Sequence, residues 1–136
     1  MKWLLVIVLL PVVGFGQLIG KVPNHSNRNL MPVVDFSTGM WTKTAAVTAS
    51  GPGTFTTNAA GGCYPAIARL RVGTRYRLVI NMTADVAYEI RNGSAGSSFG
   101  TSSGTYDFTA ANTDGVYLRL SAAGTATVGK LTIHKR

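Results

Sequence analysis

Between residues 76 and 82 the chain alternates strictly: Tyr76, Leu78, Ile80 and Met82 share one parity, and Arg77, Val79 and Asn81 fall on the other. Period two is the mark of a half-buried strand. Ala66, Ala68, Leu70 and Val72, with Arg69 and Arg71 between them, read the same way just upstream. Gly73-Thr74 separates the two runs, and glycine takes the positive φ that a tight turn requires. The pattern therefore predicts an antiparallel hairpin over residues 66–83, with Arg69, Arg71, Arg75 and Arg77 together on its outward face.

Elsewhere the same rule predicts strands over residues 31–36 and from Trp41, where Trp41, Lys43, Ala45 and Val47 alternate with Thr42, Thr44 and Thr48. Ser50-Gly51-Pro52-Gly53 ends the second of these. A short strand follows over 54–58 around Phe55, then a flexible connection, 59–62, into Cys63, Tyr64 and Pro65. Downstream of the hairpin, Val86, Tyr88 and Ile90 alternate with Ala87, Glu89 and Arg91 until Asn92-Gly93. Residues 94–104 are nearly all Ser, Gly and Thr around Phe99 and read as a long loop. A strand over 105–110 points Tyr106 and Phe108 inward, and Val116, Leu118 and Leu120 alternate with Tyr117 and Arg119. In the last run, 125–135, the apolar parity slips between Val128 and Leu131, and Gly129 at the slip predicts a β-bulge.

Eight or nine short strands with no helix among them predict an all-β chain folded as an antiparallel two-sheet β-sandwich. Residues 33–136 form that domain, and the polar residues 17–32 form an arm. Residues 1–16 carry Lys2, an apolar run from Trp3 to Leu10, then Pro11 and Gly14-Phe15-Gly16. They read as a signal helix cut before Gln17, or as an uncleaved anchor touching a membrane through residues 3–19. The expected location is accordingly secreted or on an extracellular or virion surface, membrane-anchored if the segment is retained.

Composition adds two constraints. Thirteen Lys and Arg face five Asp and Glu, giving a formal charge of +8 in a chain of which only 13% of residues are charged. Cys63 is the only cysteine, so no internal disulfide is available and the domain rests on its apolar core. It reads as a small buried thiol, with an intermolecular bridge as the alternative.

The order Trp41, then Leu70-x-x-Gly73-x-x-Tyr76, Tyr106-Asp107-Phe108-Thr109, Val116-Tyr117-Leu118-Arg119-Leu120 and a closing strand over 128–133 resembles the jelly-roll carbohydrate-binding-module-like domains. Such domains occur in bacteriophage tail and spike proteins and in secreted bacterial glycan-active proteins. The resemblance covers about residues 33–136 and implies a jelly roll that binds glycan. It carries over no calcium site, because Lys130-Leu131-Thr132-Ile133 stands where the family's closing strand commonly has an Asp.

Residues for catalysis are sparse. Asp35, Asp85, Glu89, Asp107 and Asp114 fall singly on different predicted elements, whereas a glycosidase pairs two carboxylates across a sugar. His25, His134 and Cys63 form neither a nucleophilic triad nor a zinc set. The expectation is a non-catalytic module with no cofactor and no metal. Binding candidates are the aromatics Tyr64, Phe99 and Tyr117, which could stack on sugar rings, with Arg69, Arg71, Arg75, Arg77 and Arg119 facing an acidic partner. No nucleic-acid partner is expected, since aromatics do not interleave with the basic stripe. The alternative is a purely structural subunit, a homo-oligomer or part of a virion or filament, in which the sandwich is a packing unit.

Overall fold

A computed structural model describes residues 28–67 and 69–136. The signal or anchor over 1–16, the membrane contact over 3–19, most of the arm and Ala68 lie outside these residues. Among the described residues ten strands run in order: β1 (Trp41–Lys43), β2 (Val47–Gly51), β3 (Thr54–Thr57), β4 (Gly61–Pro65), β5 (Arg75–Ala84), β6 (Tyr88–Arg91), β7 (Ser98–Gly100), β8 (Gly104–Thr109), β9 (Tyr117–Leu120) and β10 (Gly124–Lys135). They form two antiparallel five-stranded sheets, ordered β1-β4-β9-β6-β7 and β2-β3-β10-β5-β8. The chain is a β-sandwich.

The alternation of β5 explains why it sits near the centre. Tyr76, Leu78, Ile80 and Met82 are buried while Arg75, Asn81 and Thr83 are exposed, so one face of the strand belongs wholly to the core. β10 lies beside it and keeps Ala126, Val128, Leu131 and Ile133 inward across the expected bulge. Val128 pairs with Met82 and Lys130 with Asn81, which leaves Gly129 without a partner and shifts the parity by one residue. From the facing sheet come Trp41, Cys63, Ile90, Leu118 and Leu120, and one apolar cluster joins the two layers. Phe36 fills the space between Trp41 and Phe55, with ring centroids at 4.8 and 5.1 Å in edge-to-face contact.

The hairpin predicted over residues 66–83 is only half present. Among the described residues of 66–74 there is no strand: Val72 is 62% exposed and Ile67 50% exposed, and of the described apolar set Leu70 alone is buried. The reason is that β5 already pairs with β10 on one side and β8 on the other, so neither edge is open to the upstream run. That run instead crosses from one sheet to the other. Its amides find partners outside any ladder: Arg69 and Leu70 N–H both donate to the Thr113 carbonyl, and Gly73 N–H donates to the Ala110 carbonyl. Gly73, at φ 80°, makes the turn into β5, with Thr74 N–H donating back to the Arg71 carbonyl.

Four further expectations change. Residues 31–36 form no strand: Asp35 makes an isolated bridge to Pro52, Phe36 N–H donates to the Gly51 carbonyl of β2, and the Val33 carbonyl accepts from the Trp41 indole N–H of β1. The single alternation from Trp41 to Val47 divides into β1 and β2 in different sheets, because the chain turns at residues 44–46, where Val47 N–H donates to the Thr44 carbonyl. The connection over 59–62 instead opens β4, whose Gly62 backs against β9 so closely that a Cβ would meet the Leu118 carbonyl oxygen at 1.8 Å. The loop over 94–104 contains the short β7.

Candidate functional site

At one end of the sandwich, four cationic side chains surround a cleft of about 260 Å³ lined by Arg28, Leu30, Arg69, Arg71, Tyr76 and Lys135. Each wall is fixed by a different piece of the fold. Lys135, at the end of β10, stands opposite Tyr76 at the start of β5. Arg28 and Leu30 are held against β10 because Leu30 N–H donates to the Ile133 carbonyl (2.9 Å) and Asn29 Oδ1 accepts from Ile133 N–H (3.0 Å). The third wall is the crossing segment. Its position is set by the buried Leu70, by the bonds to Thr113, and by Arg71 N–H donating to the Tyr76 hydroxyl at 2.9 Å.

The charge of this cleft is not balanced by the protein. Asp35 accepts from Ser37, Asp85 from the Thr125 amide and Asp114 from Ser94. Glu89 lies 3.6 Å from Arg119, and Asp107 pairs with Arg77 at 2.7 Å and with Arg136 at 3.8 Å. Those are all five acids of the chain. No acidic side chain lines the cleft, and none of Arg28, Arg69, Arg71 and Lys135 has an ion-pair partner among the described residues. Arg69 Nε is buried and donates to no acceptor among the described residues.

The four arginines predicted to share one face are therefore divided. Arg69 and Arg71 line the cleft. Arg77 grips Asp107 with two bonds, Nε to Oδ1 at 2.7 Å and an Nη to Oδ2 at 2.8 Å. That hydrogen bonding holds the Asp107 carboxyl below its ordinary value and raises the Arg77 guanidinium. Arg75 is exposed on the same sheet.

The predicted aromatic platform does not form as expected. Phe99 is half-buried, stacked on the core residue Phe108 at 5.2 Å and tilted against Tyr106 at 5.5 Å, because β7 folds over what was read as an open loop. Tyr117 is only 7% exposed. It meets Tyr64 edge to face at 5.7 Å, and burial pushes its hydroxyl pKa up. Arg119 lies in the same strand, turned to Glu89. Tyr64, Tyr117 and Arg119 do come together on the outer side of the first sheet, yet Tyr64 alone leaves a partly open ring.

Sequence reasoning missed Arg28 and Lys135 as site residues and read Tyr76 as core alone. No local pattern marks them, since they come from the arm, the last strand and the strand after the Gly73 turn. The excess of cations over acids is the one signal that such a place exists. No protein-family model, curated protein or solved structure matches the chain.

Proposed function

We propose that this chain is a non-catalytic β-sandwich module of jelly-roll type that binds an acidic glycan or acidic receptor surface through its basic cleft. The strand order supports the jelly-roll reading. β3-β10-β5-β8 faces β4-β9-β6-β7, and the chain changes sheet at every step from β3 to β10 except between β6 and β7. The binding reading is carried by one observation, the four cations of the cleft with no counter-charge in the chain. Arginine suits this role because its fork matches the oxygens of carboxylate, sulfate and phosphate groups. With the apolar N-terminal run and the resemblance to phage and secreted glycan-binding domains, the reading places the module on an extracellular or virion surface.

The test is an array of neutral, carboxylated and sulfated glycans probed with the full chain. Binding confined to acidic glycans and weakened by Arg71→Gln is expected, whereas binding to neutral glycans alone would overturn the proposal and move the site to Tyr64. The second reading, a packing subunit, is favoured by exposed Val33, Met40 and Ile67. Met40 neighbours Ile67 through the bond from Ala66 N–H to the Met40 carbonyl, and Val33 neighbours Trp41 through the bond from the indole N–H. Concentration-dependent assembly in sedimentation that Ile67→Ser abolishes would establish it.

A further inference from the structure

We infer that the cleft is a subsite for one tetrahedral oxyanion, a sulfate or phosphate monoester group carried on a sugar; this rests on the binding reading above and deepens it. Three observations lead there. First, the number of cations is high for the space: Arg28, Arg69, Arg71 and Lys135 share about 260 Å³. A carboxylate offers two oxygens and one charge, whereas a phosphate monoester offers three terminal oxygens and up to two charges, enough to engage two guanidinium forks and an ammonium together. Second, the volume lies just below the range of pockets that enclose whole drug-sized ligands, which suits one charged group with its attached ring and excludes a buried oligosaccharide.

Third, Arg69 Nε is a buried donor without an acceptor among the described residues. A buried donor left unpaired costs free energy, and one on a cation costs more, so the group is set up for an acceptor that the described residues do not supply. The rest of the lining fits an ester. Leu30 gives apolar surface for the ring that carries the charged group, and the Tyr76 hydroxyl, already accepting from Arg71 N–H, retains its own proton to donate.

The test follows the arginine Nε–Hε signals of the full chain by NMR while inorganic sulfate, then galactose-6-sulfate, glucose-6-phosphate and glucuronate are added. Arg69 is expected to shift saturably with the sulfate and phosphate esters, more strongly than with glucuronate. Arg69→Gln should weaken ester binding roughly tenfold or more, as loss of a charged hydrogen-bonding group does. Arg69→Lys, which keeps charge but loses Nε, should recover only part of it. Arg75→Gln should change nothing, and unaltered urea melts check that each variant is folded. For the phosphate ester, affinity should rise through about pH 6 as the dianion forms, whereas the sulfate ester should show no such step.

An Arg69 signal that no ester moves, or equal losses from Arg69→Gln and Arg75→Gln, would overturn the subsite. If salt-sensitive binding to dextran sulfate persisted in that case, the broader binding reading would stand without it. Tighter binding to phosphatidic acid vesicles than to either sugar ester would overturn the assignment to a sugar and make the source of the phosphate a lipid.

Discussion

Tyr76 joins the core to the cleft. Its ring is buried against Phe108 at 5.9 Å, and its hydroxyl holds the amide of Arg71, so the residue that fills the sandwich also sets one wall of the site. Tyr76→Ala is expected to cost about 3 kcal/mol or more in urea melts, as other large-to-small core changes do. Tyr76→Phe removes only the hydrogen bond and is expected to cost about 1 kcal/mol. Arg77→Ala, on the outer face with a solvent-exposed pair, should leave the melt nearly unchanged. Similar losses from Tyr76→Ala and Arg77→Ala would mean the faces of β5 are assigned wrongly. Cys63 gives a second check at this scale. It is fully buried, and burial pushes its thiol from 9.0 up to about 12, with Lys43 opposing weakly. The raised value means that the thiol favours folding below pH 9 and that this contribution is lost as pH rises from 9 towards 12. Stability should therefore fall over that window, and fall less in Cys63→Ala, where the buried Tyr117 hydroxyl still supplies a loss of the same sign. A thiol reagent should label Cys63 only as fast as the protein opens; rapid labelling of the folded chain would contradict its burial.

Among the elements, β5, β8 and β9 were legible because each places large apolar side chains at every second position, and β10 because it does so on either side of its bulge. β4 and β7 were not. Gly61, Gly62, Ser98 and Gly100 carry no apolar signal, although the first two pair with β9 and the last two with β6. The converse error at residues 66–72 has the same lesson: alternation shows that a segment could line a face, while pairing depends on an edge being free, and both edges of β5 are filled. The bulge in β10 was legible from the parity slip and yields a sharp prediction. Deleting Gly129 would make the ladder regular while keeping Ala126, Val128, Leu131 and Ile133 on the inner face, so the variant should fold with a modest loss. Deleting Thr132 would turn Ile133 outward and His134 inward, and should prevent cooperative folding. Equal urea midpoints for the two deletions would refute the register of β10 on β5.

At the scale of the whole molecule, the sandwich could be read from the number of short strands and the lack of a helix among them, but the cleft could not. It is assembled from residues 28, 69, 71 and 135, which meet only because the segment before β1 runs along β10 and the segment before β5 crosses between sheets. What the sequence did carry was the imbalance, thirteen cations against five acids. The structure shows where part of it goes: three arginines are used in ion pairs, and four other cations gather where no acid reaches. The direct test of this account is the salt dependence of binding between the full chain and a labelled sulfated polysaccharide, measured for the native chain and for the Arg69→Gln/Arg71→Gln variant. Affinity of the native chain should fall steeply with added salt, since exposed charges are screened over about 8 Å at physiological ionic strength. The variant should bind weakly with a shallower salt dependence and an unchanged urea midpoint, whereas native-like affinity and salt dependence in the variant would contradict the assignment of binding to the cleft.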